Sequence, residues 1–375
     1  MSPVLNLQAP ALLVLTAAAL VICKKYVLAG RKDLSASVAS KAVVKDEPTS
    51  INVRDIKPIA PNFDWREQDE IPYRPWSDGP YHITMGLKKV NVEDWIELDK
   101  TYLDKYRLKQ DLFRERRDDV LQILPGCDDA AFEALDLLVD VLPRRYPTMF
   151  RRLEPSKIEN LVTGDVWDVR RESPIWEKYH PLEVMSLLAT EDFFILQTDG
   201  ETATTTLRAG CVCFPAGWKI RERIGHSLWQ LHAGKVPQYE SKLAKSMDKF
   251  FTNLRVESSI QRFNFAIDDS PDLFHPHSHH NLTPEQLGRE ISLSDLHLRV
   301  ERQVLQRLPR TRAFMFSIRT YITPITKVTE DRAVARALRT NVNSFTEDVA
   351  RYKNKPLWEN LLKEHLDEVL GTEDE

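Results

Sequence analysis

Two tryptophans, two histidines and several basic residues crowd into CFPAGWKIRERIGHSLWQLHAGKVPQY, residues 213–239, framed by Pro215 and Pro237. Trp218 and Trp229 could wall a slot for a flat cofactor, and His226 or His232 could present an imidazole nitrogen to a metal at its centre. They could equally be ordinary core and loop residues. His232 follows the alternation Leu228, Trp229, Leu231 and precedes AGKVP, which predicts a place at the mouth of a pocket. A lone histidine among apolar residues is usually a hydrogen-bonded core residue, and spacing alone does not separate that from a haem ligand.

LRVERQVLQRLP, residues 298–309, sets Arg299, Glu301, Arg302 and Gln303 among Leu298, Val300, Val304 and Leu305. Buried Arg and Glu are costly unless paired, so a structural ion-pair network is one reading. Orientation of a cofactor or substrate is the other. Arg262 and Asn264 in QRFNF, and Arg319 in SIRTY, pose the same choice. Several guanidiniums converging on one sheet face would suit an acidic cofactor edge. The histidines of LFHPHSHHN (275, 277, 279 and 280) invite a metal reading. Lying on one proline-broken loop, without a partner cysteine or carboxylate motif, they read first as a solvated loop.

The elements that must position these residues follow from pattern. DWIELDKTYLDKYRLKQDLFRER, from Asp94, repeats apolar residues at Trp95, Leu98, Tyr102, Leu103 and Tyr106, which predicts an amphipathic helix. A second helix is expected from Asp128, stopped by Pro143. DFFILQTD (192–199), TATTTLRAGCVCF (202–214), SSIQRFNFAID (258–268) and TRAFMFSIRTYITP (311–324) are β-branched and aromatic, and read as strands. YESKLAKSMDKFFTNL between them is helical, and residues 328–371 return to helix. No long helix separates each strand from the next, so an α+β fold with an antiparallel sheet and flanking helices is expected.

With 375 residues, 42% hydrophobic and 29% charged, the chain can build a real core, and its net charge of −4 does not point to nucleic acid. Four cysteines show no disulfide framework, and twelve glycines form neither GxGxxG nor GxxxxGK. Residues 9–23, APALLVLTAAALVIC, are apolar and are followed by Lys24, Lys25, Arg31 and Lys32. This predicts an N-terminal transmembrane helix, single-pass, with the domain on the cytosolic side, at the endoplasmic reticulum if the source is eukaryotic. A cleaved signal peptide is the rival, but its charges would precede the apolar run. The expected organisation is an anchor over 1–32, a flexible stalk over 33–60 and a domain over 61–372, with the sheet at about 190–325 and C-terminal helices at 328–371.

Taken together, YHITMGLKKVNVEDWIELDKTYLDK, LPRRYPTMF, HPLEVMSLLATEDFFIL, CVCFPAGW, LHAGKVP, QRFNF and LRVERQVLQRLPRTRAFMFSIRTYITP resemble the successive blocks of the haem-dependent oxidative N-demethylase alpha-subunit-like family over roughly residues 70–365. The resemblance implies haem b in a PAS-like antiparallel sheet, with a histidine on the iron. It implies oxidative removal of a methyl group from a small secondary amine, with dioxygen and electrons from a separate flavin and iron–sulfur reductase. LHAGKVP matches the family's histidine block, which marks His232 as the expected iron ligand and Trp218 as a wall of the slot. Arg299 and Arg319 are then expected to hold the cofactor. Arg262 and Glu301 are expected at the chemistry, Arg262 as a fixed cationic donor and Glu301 as its partner or as a site for an alkylammonium group. A non-catalytic haem-binding PAS-like sensor or carrier is the alternative.

The sequence departs from the family pattern in places. Ala216 and Gly217 stand where Ser-Arg is expected, removing one basic residue, and Phe265 replaces the usual tryptophan. The N-terminal anchor, the stalk and the histidine-rich loop lie outside the pattern. Four scattered cysteines cannot build a plant-type cluster, so any electrons are expected to come from another protein.

Overall fold

The structure, a computed structural model, describes residues 52–76, 79–256, 258–276 and 288–371. The expected anchor over 1–32 lies outside the described residues, among which no helix is long and apolar enough to cross a membrane. Of the expected stalk, residues 52–60 are described, and they pack on the domain. Ile56 is buried, and the Ile59 N–H donates to the Arg145 carbonyl at 2.8 Å.

The four segments expected as strands form β6 (Asp192–Thr198), β7 (Thr205–Cys211), β8 (Ser259–Asp268) and β10 (Phe314–Pro324). LRVERQVLQR, whose conformation the sequence left open, becomes β9 (His297–Arg307) at the middle of the sheet, paired along its length with β8 and β10. Every residue of β9 but the last is buried. Its polar and apolar residues therefore do not mark a wet and a dry face, as they would in a half-exposed strand. Two short strands, β1 (Lys88–Val90) and β2 (Leu121–Ile123), complete a sheet in the order β1-β8-β9-β10-β6-β7-β2. All its pairings are antiparallel. A separate three-stranded meander, β3 (Phe150–Glu154), β4 (Lys157–Asn160) and β5 (Val166–Asp168), was not expected from the sequence.

Two helical expectations are corrected. The helix expected from Asp94 begins at Tyr102 and runs to Glu115; Trp95 and Leu98 are buried ahead of it in irregular chain. The second helix spans Asp128–Arg145 and contains Pro143 instead of ending there. A proline interrupts a helix by withdrawing the N–H that the carbonyl four residues back would accept. Here that carbonyl belongs to Val139, and it accepts from Arg152 Nη1 at 2.9 Å, so β3 supplies the lost donor.

The sheet separates two interiors. Phe193, Ile195, Val304 and Met315 pack against the helices Tyr102–Glu115, Asp128–Arg145 and Pro181–Leu188. Phe265, Ile267, Leu298, Val300 and Tyr321 meet Trp358, Leu362 and Leu366 of the C-terminal helix Lys355–Leu370. Residues of opposite parity, Phe194, Leu196, Leu305 and Phe314, face Leu228, Phe251 and Leu254 from the segment that joins β7 to β8. Gly210 allows this crossover to lie close, since a Cβ there would come within 2.8 Å of Ile220 Cδ1. The alternation of strand side chains thus assigns each residue to one interior or the other.

Candidate functional site

The β7–β8 crossover does not close tightly on the sheet. Between them lies a cavity of about 1350 Å³, whose floor is the β8–β9–β10 face and whose roof is residues 228–251. The short helix Leu228–His232 is fixed by a reciprocal cap: the Gln230 N–H donates to Ser227 Oγ and the Ser227 N–H to Gln230 Oε1. This cap sets the direction of His232, which lines the cavity.

The His232 Nδ1 lies 2.7 Å from the Leu228 carbonyl oxygen. A carbonyl can only accept, so Nδ1 carries the proton and Nε2 carries the lone pair. The ring stacks on Tyr239 at 5.1 Å and 19°. Burial pushes the imidazole below its ordinary pKa, although the Leu228 carbonyl works against this. A neutral ring with a backbone-anchored Nδ1–H is the form in which histidine binds a metal.

Trp218 lines the cavity, stacked on Phe194 with centroids 6.0 Å apart; Phe194 in turn meets Phe316 at 5.5 Å. Gly217, in place of the expected arginine, has φ of 77°, a left-handed conformation that favours glycine, and its N–H donates to the His275 carbonyl at 2.7 Å.

On the floor, Arg262 Nε donates to the Met85 carbonyl at 3.0 Å and Nη1 to Gln303 Oε1 at 2.9 Å. Gln303 Nε2 donates to Glu301 Oε2 at 2.8 Å, and Asn264 Nδ2 reaches the same oxygen at 3.3 Å. Gln303 therefore stands between Arg262 and Glu301, which make no direct ion pair. Burial lowers the pKa of Arg262, with the Glu301 charge opposing, yet a guanidinium starts so high that it remains a cation.

Arg299 lies on the same floor and is fully buried. Its Nε donates to Asp268 Oδ2 at 3.1 Å and its Nη2 to the Asp272 carbonyl, while Nη1 has no hydrogen-bond partner among the described residues. Asp268 also lies 3.3 Å from His275 Nδ1. Burial opposes ionisation of Asp268, but His275 and Arg299 together outweigh it and hold the carboxyl below its usual range.

The structure does not bring Arg319 here. It pairs in register with Arg302 and belongs to the other side of the sheet. There it bonds Asp99, Thr190 Oγ1 and the Glu97 carbonyl, and stacks over Tyr321 at 5.0 Å. The residue is structural, and its place as a cofactor contact is corrected by strand parity. His226 is not a lining residue either; its backbone holds β7 through the Leu207 N–H at 3.0 Å. His275 lines the cavity, whereas His277, His279 and His280 lie outside the described residues. Among the described residues no three His, Cys, Asp or Glu side chains gather as a metal site.

Three contributors escaped the sequence reading. Lys353 is buried on the cavity wall, with Nζ donating to the Phe265 carbonyl at 2.5 Å and lying 4.5 Å from that ring. Burial drives its pKa down to about 8, with Glu301 opposing. Tyr352 beside it is raised to about 12, by burial first and by the Glu301 charge second. Arg223 adds a further cation to the lining. Nothing local in RYKNKP announces the places of Tyr352 and Lys353, because their partners lie on strands far away in the chain.

The donor set suits a flat, acidic, iron-bearing ring. One imidazole offers Nε2, Trp218, Phe194 and Phe316 supply aromatic walls, and a buried guanidinium holds an unspent donor. The model of the family described as haem-dependent oxidative N-demethylase, alpha subunit-like, matches residues 86–363, about three quarters of the chain, and the chain belongs to that family.

Proposed function

We propose that this cavity holds haem b with His232 Nε2 on the iron, and that the chain oxidatively removes a methyl group from a small secondary amine. The observation that carries the reading is the His232–Leu228 hydrogen bond of 2.7 Å, which leaves the outer ring nitrogen as a lone-pair donor in an aromatic cavity. The sheet order supports a PAS-like core. Taken in chain order, the five strands β6, β7, β8, β9 and β10 lie side by side as second, first, fifth, fourth and third.

Bound there, the cofactor would supply the oxygen chemistry, and the protein would supply binding, orientation and charge. The overall balance is one amine, one dioxygen, two electrons and two protons giving the demethylated amine, formaldehyde and water. Arg299, through Nη1, is assigned to an acidic edge of the ring. Arg262, held by Met85 and Gln303, places a fixed cation where negative charge develops, without adding a base. Glu301, steadied by Gln303 and Asn264, offers a carboxylate to an alkylammonium group. Trp218, Phe194 and Phe316 exclude water. Electrons would come from a separate flavin and iron–sulfur protein, and residues 1–32 would hold the domain at a membrane, with the domain on the cytosolic side.

The test is an absorption spectrum of the haem-reconstituted chain beside that of His232→Ala. A Soret band that vanishes or shifts in the variant, and returns with added imidazole, supports the assignment. An unchanged spectrum removes His232 from the iron, with His275 the next lining histidine to test. The strand order equally suits a haem-binding sensor or carrier. Consumption of dimethylamine with formaldehyde release, driven by an added reductase, favours the enzyme, and haem binding without turnover favours the sensor.

A further inference from the structure

Trp229 is the largest apolar side chain exposed on the cavity roof, 52% accessible, three residues before His232 on the same helical turn. Isolated exposed apolar residues are ordinary. This one is not isolated from the interior. Its ring lies 5.8 Å from that of Tyr239, which is buried and stacked at 5.1 Å on the His232 ring. Three aromatic rings thus run in contact from solvent to the imidazole that faces the cavity.

The segment that carries Trp229 has a sign. Between residues 219 and 249 there are seven Lys or Arg against three Asp or Glu, in a chain whose net charge is −4. Lys235 folds back onto the helix that carries Trp229, its Nζ donating to the Gln230 carbonyl at 2.8 Å, and burial together with the nearby Arg223 charge lowers its pKa. Lys235, Lys242, Lys245 and Lys249 make no ion pair among the described residues. Positive charge without ion-pair partners, on a segment that also carries an exposed ring, steers an acidic partner and raises its association rate.

We propose that the Trp229 face is the docking surface for an acidic one-electron carrier protein, and that Trp229, Tyr239 and His232 form the path by which its electrons reach the cavity. The inference rests on the haem reading above. In each transfer the carrier is oxidised by one electron and the cavity cofactor is reduced by one, and two transfers serve one turnover. Electron-transfer contacts are typically small and transient, which suits a single ring with a charged rim.

The experiment follows haem reduction by the Soret shift in a stopped-flow instrument, with the full chain loaded with haem. Reduced flavodoxin serves as an acidic protein donor and dithionite as a small one. With flavodoxin, Trp229→Ala and Lys235→Glu are each expected to slow reduction at least ~10-fold, Trp229→Phe to restore much of the rate, and added salt to slow the wild type. Dithionite rates and the oxidised spectrum should stay unchanged in all variants. Wild-type rates in the variants, or a wild-type rate indifferent to salt, overturn the docking surface while leaving the haem reading intact. Equal slowing with both donors shows a damaged pocket and also overturns it. Failure of flavodoxin to reduce the wild type overturns the acidic partner, and absence of any Soret band removes the haem reading and the path together.

Discussion

Arg262 donates to one end of the Gln303 side chain and Glu301 accepts from the other, at 2.9 and 2.8 Å. The amide separates the two charges while coupling their positions. An arginine locked into a direct ion pair would spend its donors on the carboxylate. Held through Gln303 and the Met85 carbonyl, Arg262 spends Nε and Nη1 on neutral acceptors, and among the described residues no bond from Nη2 competes for it.

Arg262→Leu should therefore leave haem content nearly intact and slow amine oxidation at least ~10²-fold, the scale of losing one preorganised donor. Haem occupancy and formaldehyde release measured on the same sample check it. Joint loss of haem and fold would make Arg262 a brace of the sheet, and normal turnover would remove it from the site.

Arg299→Leu removes a buried cation whose Nη1 has no partner among the described residues. Hydrogen bonds to charged groups are worth roughly 1.5–3 kcal/mol, so haem affinity should fall roughly 10- to 100-fold in a spectroscopic titration. Unchanged affinity would place the acidic edge of the ring elsewhere.

Arg319→Leu should behave differently, because Arg319 compensates Asp99 on the other side of the sheet. Stranding a buried carboxylate costs about 3–5 kcal/mol. Urea unfolding should show that loss, while the haem affinity of the folded fraction stays at the wild-type value. A selective loss of haem would return Arg319 to the cofactor.

The pH dependence of stability isolates Lys353. Its folded pKa of about 8 lies below the ordinary lysine value of 10.5, so between these limits the unfolded chain binds more protons than the folded one. Stability from this group therefore rises with pH through that window and is lost as pH falls toward 8. Comparing wild type with Lys353→Met removes the tyrosine and cysteine titrations common to both. Relative to the variant, the wild type should gain stability from pH 8 to pH 10 in thermal melts. A constant difference would show that Lys353 is not desolvated.

Much of this architecture was written in local pattern. The β-branched and aromatic runs of β6, β7, β8 and β10 place those strands within a few residues, because their composition and their Gly, Pro and Asp boundaries are local properties. Local pattern placed His232 at the mouth of a pocket, while the expected roles of His232 and Trp218 came from the family resemblance and not from their neighbours. β9 was harder. Both of its faces are buried, so Arg299, Glu301 and Arg302 sit among aliphatic residues with no wet side to set the period.

What only the tertiary structure decided was side and partner. Arg299 and Arg319 look alike in sequence, each a basic residue inside an apolar strand, and register puts them in different interiors. Pro143 was expected to end a helix, and Arg152 of a neighbouring strand answers the carbonyl it leaves. Lys353 joins the cavity through the Phe265 carbonyl, 88 residues away. A strand's composition is set by its own residues, whereas the face it turns inward and the group it meets there are set by pairing with distant chain, which no short window of sequence contains.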